Sequence, residues 1–243
     1  MSEATELAQA LRPKSHNVDA VLKNITDSDH LGQKEAHLAI LRVGEVFAGH
    51  VTELYFESPC QQHKSKGPHD LIVQTQDILR IVIEVKRFAP TQTSQALEDK
   101  IFSNETMRLV EIEEDPDNKS AGSLDTLISE VVGKDDKPGN KYDQLDPNCP
   151  NLVWIVSRNL FFDSPRFIGM AAGEILRIER EKTDCRPQTK YPYLTGLGWL
   201  HDIARANTSA VPHCYLIHPW LGLPEFLRKA SVTTETLFDK ETA

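Results

Sequence analysis

Positive charge is in short supply in this chain: 27 Lys and Arg stand against 36 Asp and Glu, a formal net charge of -9. Affinity for a polyanion comes largely from Lys and Arg neutralising phosphates. The balance therefore excludes a surface that is generally sticky for nucleic acid, and any such contact must be local. Long apolar runs are missing as well. Nothing approaches the roughly 20 residues that cross a bilayer, which excludes a helical membrane span. The polar, acidic start of the chain lacks the basic residues and apolar stretch of a secretory signal, and the expected location is the cytoplasm. Cysteine is scarce and scattered: Cys60, Cys149, Cys185 and Cys214 stand singly, without the C-x-x-C pairing of a zinc or redox site. Reduced structural thiols are expected. Cys60 with His63, and His213 and Cys214 with His218, are the groupings that come nearest to metal ligands. A Gly-rich phosphate loop, a G-x-S-x-G elbow and an H-E-x-x-H motif are all absent.

What is present is a pattern of alternating helical and strand-like segments. Length and composition suit one well-buried α/β core with elaborations. After a polar lead-in over 1–29, Ser28 or Asp29 offers an N-cap for a helix over 30–49. Its apolar residues cover much of the circumference, and Glu35 and Glu45 interrupt them. A carboxylate held in such a surface needs a partner, and a cation is one. Strands are expected over 51–57, 70–76 and 78–88, the last around the β-branched run Ile81-Val82-Ile83. A helix over 93–110, an acidic break over 111–118, a short helix over 123–132 and an exposed loop over 134–150 follow, the loop with one helical turn near 142–145. The segment 151–157, NLVWIVS, reads as a second buried strand. Helical patterns cover 168–182 and 197–206, then a strand over 213–217 and a short helix over 224–229.

The segment PHDLIVQTQDILRIVIEVK, Pro68 to Lys86, carries the chemistry: an Asp, a hairpin-length gap, then Glu-x-Lys at the end of a buried strand. Glu98-Asp99-Lys100 repeats the spacing on a helical segment, where residues two apart diverge by about 200°, whereas Glu84 and Lys86 share a strand face. A hairpin turning symmetrically about Asp77 sets Asp70 directly opposite Glu84. Opposed carboxylates repel unless a cation or proton intervenes, and Mg²⁺ takes one or two carboxylates with water and phosphate oxygens. A one-residue slip in register would separate the pair onto opposite faces. Lys86, beside them, is placed to orient an attacking water or to stabilise charge on phosphorus. Glu45 is the first choice for a further ligand and Glu35 the reserve. Lys64, Lys66 and His69, with His63, are the candidate nucleic-acid contacts; Arg177, Arg180, Lys182, Arg186 and Lys190 form a second basic series.

These residues, in this order, resemble the PD-(D/E)xK nuclease superfamily, which includes restriction endonucleases, Holliday-junction resolvases and repair exonucleases. The likeness covers roughly residues 30–160. Pro68 stands one place earlier than the motif's proline, and Gln92 or Gln95 could match a glutamine some members carry. The resemblance implies a restriction endonuclease-like α/β core running helix, three strands, helix, strand. A central mixed sheet would be flanked by helices, with an insertion over 111–150 and a C-terminal α-helical elaboration over 161–243. It implies Mg²⁺, or Mn²⁺, held by Asp70, Glu84, Val85 and Glu45, with Lys86 assisting the water. The expected activity is metal-dependent hydrolysis of phosphodiester bonds, of DNA first, by a chain that pairs as a homodimer to cut duplexes. The alternative is a nuclease-like module without turnover that binds nucleic acid or protein.

Overall fold

The computed structural model describes residues 2–59, 68–76, 79–88, 127–129, 131, 144–157, 165–185, 194–201 and 211–238. Expectations placed on 60–67, 89–126 and 132–143 lie outside the described residues. These include Lys64, Lys66, Gln92, Gln95 and the helix after Thr93. Side chains beyond Ile178 in the second basic series do as well.

The polar lead-in carries two helices. In α1 (Glu3–Leu11) the hydroxyl of Ser2 accepts the Thr5 amide at the N-cap, and Ala4, Leu7, Ala8 and Leu11 are buried. That is the i, i+3, i+4, i+7 stripe of an amphipathic helix, hidden in the sequence by the charges between. A short 3₁₀ turn (Arg12–Lys14) and β1 (Ser15–His16) lead to α2 (Val18–Asp27), which buries Val18 and Val21. Then comes α3 (Leu31–Ala48), close to the expected 30–49. His30 occupies its N-cap, and the Ser28 hydroxyl instead accepts the His30 amide. A bidentate pair between Arg42 and Glu3, 2.9 Å in both arms, ties α3 to α1.

The sheet follows the chain order, β1 to β8, each strand pairing with its neighbour in sequence. β2 (Glu53–Ser58), β3 (His69–Gln74) and β4 (Arg80–Phe88) form an antiparallel meander. β5 (Asn151–Ser157) and β6 (Leu194–His201) add in parallel to β4. β7 (His213–Leu216) is antiparallel to β6, and β8 (Thr233–Thr236) is parallel to β7. The C-terminal region is thus not purely helical. Beside α4 (Pro165–Cys185) and α5 (Leu223–Lys229) it supplies three strands. Of the segment 197–206, expected as a helix, residues 197–201 belong to β6 and the rest lies outside the described residues. The apolar run of β6 is buried because both faces of the sheet are covered, so strand alternation is lost. Gly198 is required there: a Cβ on it would lie 2.2 Å from the Trp154 ring.

Each face of the sheet has its own core. On the first, α1, α2, α3 and α5 pack on Leu54, Phe56, Leu71, Val73, Ile81, Ile83, Leu152 and Trp154. The closest approach is at Gly44, where a Cβ would meet the Phe56 ring at 2.7 Å. On the second, α4 and the helical residues Leu127, Ile128 and Val131 cover Val153, Ile155, Leu197 and Trp199. The result is an α/β architecture with helices on both sides of one mixed sheet. Among the described residues no helix is long and apolar enough to cross a membrane.

Candidate active site

Ile81, Val82 and Ile83 are all 0% exposed, as expected for a β-branched run covered on both sides. They set β4 at the centre of the sheet and lead directly to Glu84-Val85-Lys86. The pairs Leu71↔Ile83, Ile72↔Val82, Val73↔Ile81 and Gln74↔Arg80 are those of the symmetric hairpin, which makes Asp70 and Glu84 next in line. Glu84 is aligned with Val153 and Lys86 with Ile155. Since Val153 and Ile155 belong to the second core, Glu84 and Lys86 share that face.

Regular pairing stops at Leu71↔Ile83, and side chains take over the contact between the strands. The Val85 amide donates to Oδ2 of Asp70 at 2.7 Å. His69 Nδ1 lies 3.1 Å from Oε1 of Glu84. Two consecutive residues of β3 therefore grip two consecutive residues of β4. On the other side of β3 the register runs Phe56↔Leu71 and then Ser58↔His69, passing over Glu57. Glu57 has φ +46°, the left-handed region that disfavours a side chain. Its carboxylate accepts from Asn24 Nδ2 at 3.0 and 3.2 Å and lies 3.3 Å from His37 Nε2. Asp70 thus sits where the sheet opens on both of its flanks.

A loop crosses the second face of β3 and β4, from Pro68 at this end toward Arg80 at the other. Gln144 donates to the Pro68 carbonyl at 3.1 Å. Asn151 holds the loop's far end, donating to the carbonyls of Asp146 and Cys149 at 2.7 and 2.8 Å while accepting the Asp146 amide. Arg80 closes on Asp146 at 2.8 Å. Burial alone pushes the Asp146 carboxyl up, but the bonds from Asn148 and Arg80 outweigh it and leave the group below its ordinary range. Cys149, packed with Ile72 and Val82, has its thiol pushed up to about 12 by burial and the nearby Asp146 charge. It is a structural thiol, as is Cys214, which is buried in the first core and raised by desolvation.

His69, expected among the surface cations, is instead 1% exposed, and its partner Glu84 is 0% exposed. Burial, reinforced by the Arg80 charge and opposed by Asp146 and Asp70, holds its imidazole below the ordinary histidine range. The ring is neutral near pH 7, and its contact with Glu84 is a hydrogen bond rather than an ion pair. The sign for stability follows. In the unfolded chain His69 takes up a proton near its ordinary value of 6.5, while the folded protein resists until lower pH. Stability contributed by this group is thus intact above 6.5 and lost as pH falls below it. Denaturant unfolding between pH 7.5 and 5.5 is expected to show a shallower loss of stability for His69→Asn than for the parent.

The two glutamates of α3 part company. Glu35 accepts from Arg87 of β4 at 2.7 Å, so the start of α3 lies at the same end of the sheet as Glu84 and Lys86. Glu45 is exposed and stands ten residues further along, about 15 Å down the helix axis. His213 and Cys214 also diverge. The His213 ring sits near the Val211 carbonyl and edge-on to Trp199, and Cys214 points to the opposite core. Sequence reasoning passed over Asn24, His37 and Glu57, which come together only once β2 and two helices are assembled; a glutamate in left-handed backbone leaves no sequence signal.

No protein-family model matches the chain, and no curated protein or solved structure matches it. Among the described residues no group of three or more His, Cys, Asp or Glu is arranged to hold a metal. Mg²⁺ does not need one, because it keeps several waters and takes few carboxylates. The donors here fit that mode: Asp70 and Glu84 on adjacent strands, with Val85, whose side chain is apolar, able to contribute only its carbonyl. The chemistry they suit is oxygen coordination beside a lysine.

Proposed function

We propose that the chain is a metal-dependent nuclease of the PD-(D/E)xK type, hydrolysing phosphodiester bonds of nucleic acid, DNA first. The observation that carries this reading is the strand register that brings Asp70 alongside Glu84, with Lys86 on the same face as Glu84. The run α3, β2, β3, β4 and, later, β5 supplies the first helix and the strands of that order, while the helix expected after Thr93 lies outside the described residues. Asp70, Glu84 and the Val85 carbonyl would hold Mg²⁺ or Mn²⁺. Neither glutamate of α3 joins them on that face: Glu35 is held by Arg87, which is aligned with Val156 of the first core, and Glu45 is exposed.

When bound, the metal supplies Lewis-acid polarisation of the phosphate and a more acidic water. The chain's own contribution is positional. The Val85 amide fixes Asp70. Lys86 projects one pleat beyond Glu84, where its ammonium orients the attacking water and offsets negative charge growing on the phosphoryl oxygens. Burial of Glu84 lowers the local dielectric, which strengthens each of these interactions.

Lys86→Ala separates binding from turnover. Cleavage of a DNA panel (plasmid, linear, single-stranded and branched) in Mg²⁺ or Mn²⁺ is expected to fall by about 100-fold or more, with metal binding retained because both carboxylates remain. Equal cleavage by parent and variant would remove Lys86 from the mechanism. Hydrolysis of RNA in preference to every DNA would change the substrate class, and binding of nucleic acid without hydrolysis would favour the inert module.

A further inference from the structure

We infer that His69 is a positioning residue for the metal, holding the carboxylate of Glu84 in the orientation a divalent cation requires. The inference rests on the nuclease reading and extends it to a residue whose ring is turned away from any substrate surface.

Three observations converge on it. First, Nδ1 of His69 is 3.1 Å from Oε1 of Glu84 with both side chains essentially fully buried. Second, the contact replaces backbone pairing: the β3–β4 ladder ends one pair earlier, at Leu71↔Ile83. The clasp of His69 on Glu84 and Asp70 on Val85 is then what sets the distance between the strand ends bearing the two carboxylates. Third, the backbone entering His69 is anchored, since Gln144 donates to the carbonyl of Pro68 at 3.1 Å.

The physical need is clear. A glutamate side chain has several rotatable bonds, and a hydrogen bond from a buried ring on the neighbouring strand restricts where its oxygens lie before the cation arrives. An imidazole on the neighbouring strand is a rigid donor, with one ring nitrogen on Glu84. Groups that hydrogen-bond to metal-ligating carboxylates tune affinity in this way, and their loss typically costs 10–100-fold.

Calorimetric titration of Mn²⁺ into the full chain tests it, comparing the parent with His69→Phe, His69→Asn and Glu84→Gln. Thermal melts in EDTA read folding separately. Phe keeps the ring's bulk and loses the donor; Asn places an amide nitrogen near the position of Nδ1. The parent binds Mn²⁺ and Glu84→Gln loses that binding. His69→Phe is expected to weaken it by roughly 10–100-fold, and His69→Asn to stay within about 3-fold of the parent. If His69→Phe fails to fold, His69→Ala is titrated in its place, with the same expectation. Parent-like affinity in the donor-less variant overturns the positioning role and leaves the nuclease reading standing. So does an Asn variant as weak as the Phe variant, because the ring would then act by packing alone. A parent that takes up no Mn²⁺ overturns both.

Discussion

Asp70→Asn is expected to abolish divalent-metal binding and nucleic-acid cleavage together while leaving the fold intact. The asparagine is nearly the same shape, and its carbonyl oxygen can still accept the Val85 amide that Asp70 accepts at 2.7 Å, so the opening between β3 and β4 is preserved. What disappears is one negative charge among the few oxygen donors. Loss of a hydrogen bond to a ligand costs 10–100-fold in metal affinity, and loss of a ligand's own charge should exceed about 100-fold on that scale. In EDTA the melting temperature should stay level or rise, because a carboxylate beside the buried Glu84 is relieved. Calorimetry with Mn²⁺ and a melt on the same sample check both parts. A variant that binds metal as the parent does removes Asp70 from the site; one that melts far lower assigns Asp70 to the fold instead.

Trp154→Ala is expected to be the most damaging core substitution. Trp154 is fully buried on β5, meets Phe47 of α3 edge-on with centroids 5.2 Å apart, and fills the space left open by Gly198. Emptying such a site costs about 3–5 kcal/mol. For a chain of this size that corresponds to roughly 6–20 °C in melting temperature. Metal-dependent cleavage should persist below the lowered transition, since the indole faces the first core and Glu84 and Lys86 face the second. Thermal denaturation followed by near-ultraviolet circular dichroism measures the shift. A change under about 3 °C would mean the surrounding residues collapse into the space.

The parts of the fold that were legible in the sequence are those where one signal dominates. Segment 151–157 coincides with β5 because seven residues buried on both faces leave no competing pattern. The hairpin register was legible because β3 and β4 are close in sequence and a symmetric turn fixes every pair. The start of the segment 197–206 was misread as helix since Leu197 and Leu200 fall at helical spacing, while Gly196 and Gly198 mark close packing against β5 and β7. β8, Thr233–Thr236, carries no apolar residue; it pairs with β7 at the sheet edge, where Glu235 hydrogen-bonds Tyr215. At the site, residue types were readable and partners were not. The switch from ladder to clasp at His69 and Asp70, the pairing of Glu35 with Arg87 and the capture of Glu57 by α2 and α3 all depend on tertiary contacts between distant segments.

The central claim is that Asp70, Glu84 and Lys86 form a metal-dependent hydrolytic centre. The most direct measurement is strand cleavage of plasmid, linear, single-stranded and branched DNA, and of RNA, by the parent chain in Mg²⁺, with a parallel reaction in EDTA. Cleavage in Mg²⁺ that stops in EDTA and returns when metal is restored is the predicted result. Cleavage indifferent to EDTA, or none of any substrate in Mg²⁺ or Mn²⁺, would contradict the account.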